Sequence, residues 1–268
     1  MKTLLRDSIT TWQNLAQTLM RQIVGAILFY TSIPLPSPLV PDLTRIARWS
    51  PSVGLLMGGL LWILDLLMEW GQLSITLRSV IVVCLWMALT GGLHLDGAMD
   101  TADGLGVFDP KRRLAVMADS RTGAFGVLAA IAIILLKITA LAAIQQTRGI
   151  ALLWAMGWGR WAHLLAIGLY PYLKPEGKGA FHRLHFQPRW DYWPGLLCNG
   201  LGLYLWVVMQ GQPELIWSLL WVPGVCWGVG HWFFRRFRGM TGDLYGAVIE
   251  WSETFILLGF SLLEAMLL

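Results

Sequence analysis

The chain has 268 residues, of which 56% are hydrophobic and only 13% charged, with a formal net charge of +4. An ordinary soluble domain carries about a quarter charged residues, so this composition excludes one and points to several membrane-spanning helices of roughly 20 apolar residues each. Three cysteines, Cys84, Cys198 and Cys226, lie in apolar runs without paired spacing; this excludes a disulfide framework or a zinc site, and they read as small buried hydrophobes.

The chain opens on MKTLLRDSITTWQNL, polar and broken by Arg6 and Asp7, so no cleavable signal peptide is expected. Residues 22–36, QIVGAILFYTSIPLP, are apolar but short, and prolines 34, 36, 38 and 41 prevent a helix from continuing. A re-entrant or interfacial segment is expected there. Seven spans follow by hydropathy, at about 50–70, 74–95, 122–146, 149–172, 192–210, 213–232 and 246–268. Sixteen tryptophans suit the membrane–water interface. No internal repeat or linker interrupts the pattern. The expected fold is all-α, a polytopic bundle of about seven (six to eight) transmembrane helices, in a single membrane domain over 1–268.

The basic residues orient this bundle. Lys2, Arg6, Arg21, Arg45 and Arg48 precede the first span. Lys111, Arg112, Arg113 and Arg121 lie in the 96–121 loop; Lys174, Lys178, Arg183 and Arg189 in the 173–191 loop; Arg235, Arg236 and Arg238 in the 233–245 loop. The opposite side receives only Arg78 and Arg148, while Lys137 and Arg160 fall within spans. Cytoplasmic loops accumulate Lys and Arg, so the N-terminus is expected in the cytoplasm and the C-terminus outside. These charges serve topology or contact with anionic lipid, or they receive an anionic substrate on that face.

The stretch GGLHLDGAMDTADGLG, residues 91–106, lies on the same face, directly after an apolar run. Asp96, Asp100 and Asp103 are spaced i, i+4, i+7, which puts three carboxylates on one helical side. Like charges so close require a compensating cation, and hard oxygen donors select Mg²⁺ or Mn²⁺. The bland alternative is a solvated acidic helix end. His94, on the opposite helical face, reads either as a packing group or as a proton-transfer or substrate contact. Downstream, MTGDLYGAVIEWSE places Asp243, Glu250 and Glu253 on roughly one side of the last span. They form a second wall of the same polar cavity, or Glu250 and Glu253 pair with Arg160 or Lys137. Glu264 reads as an ordinary interfacial residue. In MADSRTGAFG, Ser120 or Thr122 is expected to cap the third span; Asp119 and Arg121 precede it, and Arg121 suits a phosphate. Arg160, within a span, is expected to face a polar cavity.

GGLHLDGAMDTADG resembles the signature of the cobalamin synthase (adenosylcobinamide-GDP ribazoletransferase) family. FYTSIPLP (29–36), MADSRTGAFG (117–126), YLKPEGKGAF (172–181) and TGDLYGAVIEWSE (241–253) resemble its further motifs in family order, over nearly the whole chain. Ser32 departs where many relatives carry Arg, and Met99 replaces a small residue. The resemblance implies a transferase of the last steps of cobalamin biosynthesis. Its substrates are adenosylcobinamide-GDP and α-ribazole or its 5′-phosphate, its product besides GMP is adenosylcobalamin or its 5′-phosphate, and its cofactor is Mg²⁺. It further implies metal binding by Asp96, Asp100 and Asp103, with one of these or Asp243 taking the hydroxyl proton. Arg121, Arg160 and Lys111 would meet the phosphates; Glu176, Glu250 and Glu253 the sugar, the corrin amides or a second metal; His94 and Asp119 the substrate. The bacterial inner membrane is the expected location, with the active site facing the cytoplasm and lipid around it. A homo-oligomer is compatible with this reading, and no nucleic-acid partner is expected.

Two rival readings remain at this level. DTADG, 100–104, matches the opening of the CDP-alcohol phosphotransferase motif, whose remaining elements are absent at the expected distance. A cation- or proton-coupled transporter also uses intramembrane carboxylates, but these would be distributed near the midplane rather than crowded at one face. The topology is directly testable: a reporter fused after Leu268 is expected to read as external, and a cytoplasmic reading would show that a span was miscounted.

Overall fold

A computed structural model describes residues 2–36, 40–174, 177 and 179–267. The described residues form helices joined by short turns and no sheet. The long helices are α1 (Lys2–Tyr30), α2 (Ser50–Trp70), α3 (Ile75–Leu89), α4 (Leu93–Gly106), α6 (Ala124–Ala143), α7 (Arg148–Leu169), α9 (Pro188–Gln210), α10 (Ser218–Phe237) and α11 (Gly242–Leu267); α5 (Arg113–Val116) and α8 (Ala180–His185) are short. Each expected span overlaps a helix, except that 74–95 is broken at Gly91 and Gly92 into α3 and the start of α4. By length and apolarity α2, α6, α7 and α11 suffice to cross a membrane; α3 and α4 pass the same test only as a pair bent by 89°, the geometry of a broken span or a re-entrant loop. This is a helical membrane protein. Helices α9 and α10 stand where two further spans were expected but fall short of that measure. Arg189, Asp191 and Asn199 dilute the apolarity of α9, and His231, Arg235 and Arg236 that of α10.

Residues 22–30 are not a separate short piece, as the sequence suggested, but the end of α1. The helix stops at Tyr30, before Pro34 and Pro36. The cysteines also differ from expectation. Cys226 is buried, Cys198 is half-buried and Cys84 is exposed on the outer surface.

α7 is the centre of the bundle and is buried almost all round, with α2, α9, α10 and α11 packed on it. Outer faces carry exposed apolar side chains such as Ile63 and Leu67 on α2 and Leu197 and Leu201 on α9, as a lipid-facing surface requires. Charges inside the bundle are matched. Lys137 Nζ lies 2.7 Å from both Glu250 Oε2 and Glu253 Oε2, and Arg160 Nη1 lies 2.7 Å from Glu253 Oε1. The ammonium of Lys137 also sits over the Trp86 ring at 4.3 Å. Nearer the opposite end, Arg148 donates twice to Asp65 at 2.8 Å. Glu264, read from sequence as interfacial, is buried instead. It accepts the backbone N–H groups of Gln145, Gln146 and Thr147 and the Thr147 hydroxyl, at 2.6–3.1 Å. A carboxylate at the start of α7 satisfies donors that the helix itself leaves free.

Removing one partner from a buried ion network leaves uncompensated charge, at a cost of about 3–5 kcal/mol. Glu253→Ala is therefore expected to lower the thermal unfolding temperature in detergent strongly, whereas Glu69→Ala, at an exposed partner of Arg78, changes it little. Equal melting of both variants would remove the network from this role.

Candidate active site

The site starts from a break in the second expected span, 74–95. Thr90 ends α3, and Gly91 and Gly92 take φ of 60° and 71°, a conformation open to glycine at little cost. The chain turns there and α4 sets off nearly perpendicular to α3. It then crosses the start of α11 at backbone contact. A Cβ on Gly97 would lie 2.7 Å from the Asp243 carbonyl oxygen, and one on Gly246 would lie 2.9 Å from that of His94. Two glycines facing each other thus bring the acidic motif of α4 against the TGD motif that opens α11.

Around this crossing Asp100, half-buried, has Asp96, Asp243 and Asp103 as its nearest negative charges and Lys174 as the positive one. Lys174 Nζ lies 3.6 Å from Asp243 Oδ2. The lysine is held there by a short parallel bridge. Leu173 N–H donates to the Met240 carbonyl and Met240 N–H to the Pro171 carbonyl, both at 2.8 Å. Sequence reasoning placed Lys174 only among the topology-setting charges; its position one residue beyond this bridge is a tertiary fact.

Asp103 faces elsewhere. Its two oxygens accept the N–H groups of Gly123 and Gly126, both at 2.8 Å, at the start of α6. The expected cap from Ser120 or Thr122 is not made; Gly123 is the cap residue, and Asp103 supplies the oxygens. Glu250, Glu253 and Arg160 lie deeper, in the ion network with Lys137 described above. Lys111, Asp119 and Arg121 sit on the exposed 107–123 loop. Arg121 grips Asp119 through Nε and Nη2 at 2.7–3.2 Å, and these bonds hold the Asp119 carboxyl down to about 2. Glu176 lies outside the described residues.

Beside the carboxylates is a cavity of about 230 Å³ lined by Phe29, Tyr30, His94, Asp96, His163, His182, Asp243 and Tyr245, among others. His94 and Asp96, expected on opposite faces, both line it because α11 crosses between them at Gly97. His182 stacks on Tyr30 with ring centroids 5.8 Å apart, and its ring nitrogens are 3.4–3.5 Å from the Tyr30 hydroxyl. Burial pushes the His182 imidazole down to about 3, so it is neutral at physiological pH. His163 packs edge-on against Tyr245 at 5.1 Å and His182 at 5.7 Å. Sequence reasoning passed over His163; a histidine inside the apolar run of α7 is a signal that could have found it.

The family model described as Cobalamin-5-phosphate synthase matches residues 22–261. A protein of Synechocystis sp. named adenosylcobinamide-GDP ribazoletransferase is 49% identical over 89% of this chain and 93% of its own. Proteins of the same name from Thermosynechococcus vestitus and Desulfitobacterium hafniense are 46% and 37% identical, over 91% and 90% of this chain and 98% and 96% of their own. This chain belongs to the cobalamin-5-phosphate synthase family. No solved structure matches it.

Within the family frame, Ser32 marks a local departure. Its hydroxyl donates to the Ala88 carbonyl at 2.6 Å and thereby ties the segment after α1 to the end of α3. The hydroxyl at this position is engaged at the elbow. Among the described residues no three His, Cys, Asp or Glu side chains are arranged to hold a metal ion by themselves. The chemistry of the donors nevertheless fits Mg²⁺, which is commonly held by one or two carboxylates together with substrate phosphates. Asp96, Asp100 and Asp243 supply only oxygens around the crossing, against the charge of Lys174, the one cation beside them among the described residues.

Asp103 and Asp100 should separate experimentally. Asp103→Asn loses the ionised cap of α6 and is expected to destabilise the protein by about 1 kcal/mol, read as a lower unfolding temperature. Asp100→Asn relieves repulsion among carboxylates and is expected to leave that temperature unchanged or raised. The reverse order would mean that the two roles are exchanged.

Proposed function

We propose that the chain transfers the adenosylcobinamide-phosphate group of adenosylcobinamide-GDP to α-ribazole or its 5′-phosphate, with Mg²⁺, at the cytoplasmic face of a bacterial inner membrane. The observation that carries this reading is the surplus of carboxylate at the α4–α11 crossing, beside one lysine and an aromatic cavity. The names of the relatives supply the substrates. The concentration of Lys and Arg in loops on the side of Asp96 and Asp100 supports the cytoplasmic assignment.

A ribose hydroxyl of the acceptor attacks the phosphorus that bears the aminopropanol arm. A new O–P bond forms, the P–O bond to GMP breaks, and the bond's electron pair leaves on the GMP phosphate. The hydroxyl proton passes to a carboxylate, for which Asp243, Asp96 and Asp100 are the candidates. Mg²⁺, when bound, neutralises the pyrophosphate oxygens and draws charge from the attacked phosphorus. Asp96, Asp100 and Asp243 would hold it. Lys174, tethered by the Tyr172–Met240 bridge, offers a fixed positive charge to a phosphate oxygen. Arg121 and Lys111 stand on the exposed loop on the same face, and Arg121 must exchange Asp119 for a phosphate in order to contribute. Arg160, Glu250 and Glu253, engaged with Lys137, support α11 from below. Asp103 fixes α6 against α4.

Purified protein in detergent is expected to release GMP from adenosylcobinamide-GDP and α-ribazole only with a divalent cation. Asp100→Ala is expected to lower kcat by at least about a hundredfold while the protein still inserts. Lys174→Ala is expected mainly to raise the KM for adenosylcobinamide-GDP. Full activity of Asp100→Ala, or turnover of CDP-diacylglycerol with an alcohol in place of this pair, would refute the reading.

A further inference from the structure

The cavity beside the carboxylates has a character of its own. Its wall is aromatic, built from Phe29, Tyr30, Tyr245 and the imidazoles of His163 and His182. Its polar atoms are few and specific. His163 Nδ1, His94 Nδ1 and the Tyr245 hydroxyl are buried and have no hydrogen-bond partner in the protein, and all three residues are at least nine-tenths buried. Buried polar atoms are ordinarily paired, so three orphans on one small cavity point to a ligand that pairs them. Asp96, exposed, and Asp243, half-buried, form the solvent-facing part of its lining, its rim.

We infer that this cavity is the subsite for the base of the acceptor nucleoside, an aromatic bicycle of mainly hydrocarbon surface with one free ring nitrogen. The inference rests on the reaction proposed above and adds the place and the residues of acceptor recognition. Three considerations select this occupant. At about 230 Å³ the cavity suits a bicyclic base and is far too small for a corrin ring. Guanine, the other base in the reaction, carries donors and acceptors round its whole edge, more than the three orphans can pair, and the remainder would lie against Phe29, Ile249 and the tyrosine rings. A benzimidazole nucleoside instead lays its hydrocarbon on those rings, takes the Tyr245 hydroxyl as the single donor for its ring nitrogen, and turns its ribose hydroxyls toward the free nitrogens of His94 and His163, so that all three orphans find partners. With the base inside, the attached ribose emerges at the rim, where Asp96 and Asp243 can receive its hydroxyl proton. Tyr245 and His163 are then specificity residues on the acceptor side, and Lys174 belongs to the donor side.

The test is a KM split and a binding measurement on the full chain in detergent. Tyr245→Phe and His163→Phe keep the ring packing and remove one polar group each. Each is expected to raise the KM for α-ribazole about tenfold, with the KM for adenosylcobinamide-GDP unchanged within about twofold. Wild-type protein is also expected to bind 5,6-dimethylbenzimidazole alone, saturably and without the donor, and Tyr245→Phe to weaken that binding about tenfold. An unchanged KM for α-ribazole, a matching rise in the donor KM, or no binding of the free base to wild type overturns the assignment. If wild type releases no GMP from the substrate pair, the proposed reaction fails; the binding of the free base and its loss in Tyr245→Phe still decide what this cavity takes.

Discussion

Charge that enters the interior of this bundle must be cancelled there, and the architecture follows from how each case is met. Lys137 and Arg160 are set against Glu250 and Glu253. Arg148 is set against Asp65. Glu264 and Asp103, without a cationic partner, are placed on the free N–H groups at the starts of α7 and α6. These pairings fix which helices can be neighbours: α6, α7 and α11 meet around Glu253, and α2 meets α7 at Asp65. At one place the cancellation stops short. Asp96, Asp100 and Asp243 face Lys174, and the remaining negative charge is tolerable because this crossing opens to water.

The chemistry of the site thus depends on backbone features that carry no charge. Gly91 and Gly92 turn α4 away from its own span. Gly97 and Gly246 let it rest on α11. The bridge between Tyr172 and Met240 then delivers a lysine and, a few residues on, one aromatic wall of the cavity. Sequence motifs that lie more than a hundred residues apart become a single concave surface through these three contacts.

Much of the fold was legible. Apolar runs gave most of the helix positions, though not the break at Gly91 and Gly92 within the expected 74–95 span. The acidic motif and the TGD motif were legible as chemistry, but angular spacing was an incomplete guide to their partners. Asp96 and Asp103 share a helical side, yet seven residues at 1.5 Å of rise put them about 10 Å apart along the axis. The first therefore meets α11 and the second meets α6. Depth likewise separates Glu250 and Glu253 from Asp243: two or three turns farther in, they meet Lys137 and Arg160 instead of the cavity. His163, Tyr245 and Lys174 were not legible as site residues, because nothing local distinguishes them from packing groups or topology charges. Only the crossing of α4 over α11 and the Tyr172–Met240 bridge make them neighbours.

The elbow at Gly91 has a further consequence for the surrounding bilayer. α3 has 15 residues, a rise of only about 22 Å, against a hydrocarbon thickness of roughly 30 Å. A helix that stops so short cannot carry the acidic segment out to the headgroups. A membrane accommodates so short an apolar stretch by local thinning, by snorkelling side chains or by association of chains; thinning would put the carboxylates at the bottom of a depression rather than on a flat surface. On the proposed reaction, a large amphipathic substrate lying in the interface would reach the carboxylates by sliding sideways into that depression, with little need to leave the lipid.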